Sequence, residues 1–330
     1  MATRRSDRPT LRHVAERAGV SVATASYVLA GRARERTISD ATAERVRAAA
    51  RDLQYRRNDA ARSIRTGKSD LVLLSLHMLA DPWSQAVANA VGDYVETLGK
   101  TALVLAHGDW RQALARRTPD VVFIDGVTAD AVDDLTRLAD EGVQIVVFDE
   151  HLEPGAFDVV RSGAEPRCHL AVEHLLERHD HVAALARRRR GPRYDAYVTS
   201  LATAGLQVRE EHLGTYDDDP ASAYWAALTL LSTTPRPTAV YCTTDFAAIA
   251  VVQAAHRLGL TVPNDVAVVG VGNTPQGERL DPSLSTVGPV GFIEALAKII
   301  GSRASDREGA PGELFDFPWE LIVRQSSGGA

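Results

Sequence analysis

Thr10-Leu11-Arg12-His13-Val14-Ala15-Glu16-Arg17-Ala18-Gly19-Val20-Ser21-Val22-Ala23-Thr24-Ala25-Ser26-Tyr27-Val28-Leu29 is the stretch on which the reading of this chain turns. Thr10 is a helix-capping residue type, and Leu11, Val14, Ala15 and Ala18 fall on one face of a short helix. Gly19 ends that helix, Val20 plugs the turn, and Ser21 offers a second N-cap. In the helix that follows, Ala25, Val28 and Leu29 face inward while Val22, Ala23, Thr24, Ser26 and Tyr27 stay outside. This outer face is small, polar or aromatic and carries no charge for phosphate to repel. A third pattern from Ser39 to Leu53 places Ala43, Val46, Ala49, Ala50 and Leu53 at helical spacing. Together they predict an all-α helix-turn-helix headpiece that fits a DNA groove.

The charge distribution points the same way. Residues 1–69 hold 16 Arg and Lys against seven acids, a net +9, while the remainder holds 21 against 36, a net −15, so the overall −6 hides a basic head on an acidic body. Such a chain can touch a polyanion with its head alone; the alternative is a solvated charged head. Hydrophobic residues at 45% and charged ones at 24% are ordinary for a globular protein. No apolar run reaches the length of a membrane span, and the Arg-rich start lacks the apolar core of a signal peptide, so a cytoplasmic location is expected. Cys168 and Cys242 fit buried thiols in a reducing compartment, with a disulfide as the alternative.

Beyond residue 70 the pattern alternates. Apolar runs at 71–76, 101–105, 121–124, 143–148, 181–186, 239–242 and 266–271 read as buried parallel strands. Amphipathic segments at 83–98, 129–141, 168–178, 193–204, 221–231 and 246–258 read as helical crossovers. About 260 residues and roughly ten strands suit two doubly wound α/β sheets better than one. The expected division is a headpiece over 1–57, a hinge helix and linker over 58–69, and a body over 70–330.

At this point the chain resembles the LacI/GalR family of bacterial transcriptional regulators over nearly its whole length. The resemblance is strongest in Thr10–Leu29 and Tyr55–Gly67. It continues through Asp81-Pro82-Trp83, Val146-Val147-Phe148-Asp149, Leu170–Leu175, Arg193 with Tyr197, Thr244-Asp245-Phe246-Ala247, Val262–Gly270, Leu284–Val287 and Leu321–Arg324. It implies a homodimer that reads a palindromic operator, with a body like that of periplasmic sugar-binding proteins. The body would comprise an N-lobe of about 70–159 and 290–316 and a C-lobe of about 160–289 and 317–330, with a small-molecule effector in the cleft.

Carried onto this sequence, the resemblance places Val22, Ala23 and Tyr27 against base edges. It places Thr10, Ser21, Thr24, Ser26, Thr42, Tyr55 and Asn58 against phosphates. Tyr27 stands where many relatives carry Arg, which removes a bidentate guanine contact; packing on the head is its other reading. Ile64 matches an apolar hinge residue that wedges into the minor groove, or else it packs on its dimer mate. Trp83, Asp149, Arg193, Asp245 and Phe246 would line the effector cleft, offering aromatic faces for stacking and charged groups for hydroxyls. Dimer contacts are expected on 83–98 and 246–258.

The cleft departs from the family in three places: Gly272 replaces its acid, Thr244 replaces its Asn, and His107–Pro119 is short. Arg187-Arg188-Arg189-Arg190-Gly191-Pro192-Arg193 at the cleft edge reads either as a solvated loop or as a site for an anionic metabolite. His179-Asp180-His181 is expected as a surface turn rather than a metal site, and Asp217-Asp218-Asp219 as a helix start before Pro220. No metal or cofactor is expected, and no catalytic spacing is found. The resulting expectation is a repressor that binds double-stranded operator DNA as a homodimer under control of a sugar-like or anionic effector. The alternatives are a periplasmic-type binding protein and an α/β enzyme acting on a sugar or nucleoside.

Overall fold

The computed structural model describes residues 9–55, 67–105, 109–116, 118–161, 167–217, 219–305 and 310–329. The chain divides into two compact units, Met1–Ser69 and Asp70–Ala330. In the first, α1 (Leu11–Ala18), α2 (Val22–Leu29) and α3 (Asp40–Asp52) pack around Val14, Ala15, Ala25, Val28, Ala43 and Val46. Each helix starts where its sequence says. Thr10, Ser21 and Ser39 accept backbone N–H bonds from His13, Thr24 and Thr42, and Gly19 leaves α1 in the left-handed region at φ 64°. The loop after α2 contains a short 3₁₀ turn, Arg34–Arg36, anchored by the buried Ala33. The expected hinge turn from Asn58 to Arg65 lies outside the described residues.

The second unit contains two six-stranded sheets. The first lobe begins with β1 (Leu71–Ser75), α4 (Pro82–Thr97), β2 (Thr101–Leu105), α5 (Trp110–Arg116), β3 (Val121–Asp125), α6 (Val132–Asp140), β4 (Gln144–Phe148) and β5 (Asp158–Arg161). The second lobe follows with α7 (His169–Leu176), β6 (Val182–Ala186), α8 (Pro192–Thr203), β7 (Leu213–Thr215), α9 (Pro220–Leu231), β8 (Ala239–Cys242), α10 (Asp245–Arg257), β9 (Ala267–Val271), α11 (Pro275–Glu278) and β10 (Ser285–Pro289). The chain then returns with α12 (Phe292–Ser305) and β11 (Leu314–Asp316) to the first sheet, and ends with β12 (Trp319–Ile322) in the second.

The sheet orders are β11-β5-β4-β3-β1-β2 and β12-β10-β9-β8-β6-β7, parallel throughout except for β12 against β10. Each sheet is covered on both faces. In the second lobe α9 and α10 pack with Val240, Cys242 and Val268, whereas α7 and α8 pack with Ala239, Tyr241 and Val269. Alternate strand residues thus serve opposite cores, which is why the strands read as continuous apolar runs. In the first lobe α4 and α12 cover one face and α5 and α6 the other.

Three segments link the lobes, after β5, β10 and β11. β5 keeps the chain in the first lobe through Arg161, two residues beyond the expected boundary. The helix expected over 129–141 starts as a 3₁₀ turn at Ala129–Ala131. α10 is buried along nearly all its length against α9 and the sheet, and within the segment expected to meet the dimer mate Gln253, His256, Arg257 and Leu258 face outward. Cys168 and Cys242 are buried in different core clusters and no disulfide joins them. Asp219 caps α9 as expected, while Asp218 lies outside the described residues.

Candidate functional site

On the head, α2 turns Val22, Ala23 and Tyr27 away from the core, and Val22 is 44% exposed. Ser21 Oγ accepts the Thr24 N–H at 3.0 Å and lies 2.8 Å from Thr24 Oγ1. Ser39 Oγ donates to Thr42 Oγ1 at 3.0 Å, leaving the Thr42 hydroxyl proton able to donate elsewhere. Thr10 is exposed, Ser26 is half-buried, and Tyr55 packs on the head core. Neither α1 nor α2 has an acid in its first turn, so both N-termini keep their partial positive charge. Arg36, which sequence reasoning left in a loop, sets its guanidinium carbon 4.7 Å from the centroid of the Tyr27 ring. This brings a cation to the position where the family's Arg is missing. Asn58 and Ile64 lie outside the described residues.

Between the lobes of the body lies a cavity of about 770 Å³. One wall is aromatic. Trp83, at the start of α4, lies 5.2 Å from Phe148 and 6.4 Å from Phe292 between ring centroids. The opposite wall is cationic: Arg187, Arg188 and Arg190 come from the loop after β6 and Arg193 from the first turn of α8. Arg193 donates to the Thr243 carbonyl at 3.0 Å and sits 5.2 Å over the Trp319 ring. Arg187 reaches across the cleft to His77 Nε2 at 2.7 Å. Burial pushes the carboxyls of Asp81 and Asp125, which also line the cavity, above the usual aspartate range.

Of the five residues expected here, Trp83, Arg193 and Asp245 line the cavity; Asp149 and Phe246 do not. Asp149 is occupied by its own turn, accepting the N–H groups of His151 and Leu152 at 2.8 and 2.9 Å. Phe246 points into the α9–α10 core, where its ring lies 5.9 Å from Tyr216. Asp245 is 1% exposed. One oxygen accepts from Thr274 N at 2.7 Å and Thr274 Oγ1 at 2.9 Å, and the other from Thr286 Oγ1 at 2.6 Å. Burial still pushes its carboxyl upward.

Two of the family departures belong to this arrangement. Gly272 has φ 137°, a backbone that side chains rarely adopt, and a Cβ there would stand 3.6 Å from Asp245 Oδ2. An acid at 272 would therefore crowd a second carboxylate onto the buried one. Thr244 caps α10 and shares its hydroxyl with Tyr216 OH at 2.8 Å, and burial pushes the Tyr216 phenol up to about 12. Phe148, Phe292 and Trp319 were not singled out from the sequence as cleft residues, because they come from three distant segments that only the lobe crossings bring together. His179 bonds to Thr238 at 3.1 Å and His181 packs edge-on against His212.

Known proteins share both units. Residues 10–58 match the bacterial regulatory proteins of the lacI family, and residues 172–327 match a periplasmic binding protein-like domain. The HTH-type transcriptional repressor PurR of Erwinia tasmaniensis is 30% identical over 316 residues, spanning 89% of this chain and 91% of that protein. The chain belongs to the LacI family. The structure of the transcriptional regulator CelR in complex with cellobiose, 25% identical, aligns with a TM-score of 0.62 over 97% of this chain and 100% of that one. The lac repressor dimer bound to operator and the anti-inducer ONPF shares the fold at a TM-score of 0.70 and 21% identity, over 97% and 99% of the two chains. As a LacI-family protein the chain is a DNA-binding transcriptional regulator with an effector-binding body.

Proposed function

We propose that this protein represses transcription by binding a palindromic operator as a homodimer, and that a small molecule in the inter-lobe cavity changes its grip. The observation that carries this reading is the pairing of two sites in one chain: a capped helix-turn-helix whose second helix has an uncharged outward face, and a cavity between the lobes of the body. Val22, Ala23 and Tyr27 meet base edges, while Thr10, Ser21, Thr24, Ser26, Thr42, Tyr55 and Asn58 hold phosphates. Ile64 wedges the minor groove between the two heads. Trp83, Arg193 and Asp245 serve the effector cavity, with Asp149 and Phe246 supporting it from behind. The protein acts in the cytoplasm as a binding protein rather than an enzyme; no helix among the described residues is long and apolar enough to cross a membrane.

The operator-bearing relative and the cellobiose-bearing relative support the two halves of this reading. The lac repressor structure is of a dimer on operator DNA, and the CelR structure holds a small sugar. Footprinting on the DNA upstream of its own coding sequence tests it. The expected result is protection of a two-fold symmetric site by the full-length protein. Uniform protection without a preferred site overturns it.

A further inference from the structure

Two sets stand out among the polar groups of the cavity. The first is already engaged inside the protein: both oxygens of Asp245 are taken by Thr274 and Thr286, and the Thr244 hydroxyl is shared with Tyr216. These are groups that a cleft would use to hold the hydroxyls of a neutral sugar, and little of their capacity is left over.

The second set retains capacity and is cationic. Arg188 and Arg190 line the cavity and make no hydrogen bond or ion pair among the described residues. Their neighbour Arg189 is turned away, paired with Glu210 at 2.6 Å. A buried indole adjoins the same cavity. Trp319 is 2% exposed, lines the cavity, and its indole Nε1 has no hydrogen-bond partner among the described residues. Facing this set, Trp83 and Phe148, their rings tilted by 31°, offer an aromatic wall. Asp81 and Asp125 also line the cavity, and burial pushes their carboxyls above the usual aspartate range.

We propose that the effector is an anionic ring compound, its carboxylate or phosphate held by Arg188 and Arg190 beside Arg193 and its flat face laid on Trp83 and Phe148. This rests on the reading of the cavity as the effector site. Guanidinium–oxyanion bonds are charge-assisted and bidentate, which a neutral hydroxyl cannot match.

The test is calorimetric titration of the full-length protein with paired probes: 4-hydroxybenzoate beside 4-hydroxybenzamide, and glucose 6-phosphate beside glucose. An anion is expected to bind about tenfold or more tightly than its neutral partner, which one or two charge-assisted bonds supply. The pair that shows the preference tells carboxylate from phosphate. In R188S/R190S the preference is expected to vanish, and in R189S to persist, with circular dichroism melting confirming that both variants fold. Binding by neutral members alone, by no anion, or an undiminished preference in R188S/R190S overturns the proposal. Anisotropy on operator DNA separates the two readings. A neutral sugar that shifts operator affinity leaves the effector cavity standing and removes the anionic class. An anion that binds through Arg188 and Arg190 without moving operator affinity supports the anionic class and removes control of DNA by this cavity.

Discussion

Tyr27 and Asp245 show how a single side chain is set by what surrounds it. Tyr27 lies half-buried on the outward side of α2 with Arg36 over its ring. Under the proposed docking, Val22 and Ala23 can touch thymine methyls but cannot read hydrogen-bond patterns, which leaves the polar part of the readout on this helix face to Tyr27. Tyr27→Ala is expected to weaken operator binding about tenfold or more, from the loss of a base contact worth roughly 1–3 kcal/mol, while random DNA loses far less. Competition titrations measure both, and equal losses would exclude a base contact. Asp245→Ala acts on folding instead. It strands the Thr274 N–H and two hydroxyls in a buried pocket, at about 1–3 kcal/mol for each unsatisfied group. Urea unfolding should show a loss of at least about 3 kcal/mol, on the same principle applied to these donors together. Asp125 works in the opposite sense. Its folded carboxyl is raised by burial, so the folded state holds the proton more tightly than the unfolded chain, and stability falls as pH rises through the raised value. Asp125→Asn can still accept the His77 N–H, and it is expected to raise the melting temperature at neutral pH. The gain should disappear below the ordinary aspartate value of about 3.9, which melting curves across pH will show.

Secondary structure was legible wherever an element carries its own apolar run or cap. β6 and β8 are short, apolar and buried throughout, β1 and β3 are apolar up to their last residues, Ser75 and Asp125, and α1 to α3 announce themselves by Thr10, Ser21 and Ser39. The return segments were not legible. β10 is Ser-Thr-Val-Gly-Pro, buried although half polar, because Ser285 and Thr286 find partners in Arg324 and Asp245. β11 has three residues and takes its conformation from pairing with β5, 155 residues earlier. The cavity shares this difficulty, since Phe148 and Phe292 meet only after α12 re-enters the first lobe. One tie in that lobe also depends on distant pairing. Lys100, before β2, bonds Asp120, before β3, at 2.6 Å, with both side chains 7% exposed; Asp120 also accepts the Asp70 N–H before β1. Asp120→Ala leaves a buried ammonium unpaired and is expected to cost about 3–5 kcal/mol in chemical unfolding. Asp120→Asn, which keeps the bond from Asp70, should cost less.

The charge partition gives the two units different tasks and makes the dimer necessary. A head with net +9 gains affinity for any duplex by releasing counterions, and that gain carries no sequence information. The proposed base contacts per head are few: Val22 and Ala23 are short, and Tyr27 is the polar member of the set. One head alone therefore discriminates poorly. Two heads joined through their bodies convert the second contact into an intramolecular one, which raises affinity by roughly 10²–10⁴ without new contacts. The same argument fixes how salt should act, because the slope of log affinity against log salt counts the phosphates neutralised. A duplex of unchanged length in which one operator half-site is scrambled is expected to lose about 100-fold in affinity at physiological salt, within that avidity range. Its salt slope should stay close to that of the intact operator, because the second head still rests on phosphates. Truncating the duplex to one half-site should instead lower the slope to roughly half. Equal affinity for intact and scrambled operators would mean that a single head suffices, and with it the dimeric mode of recognition would fail.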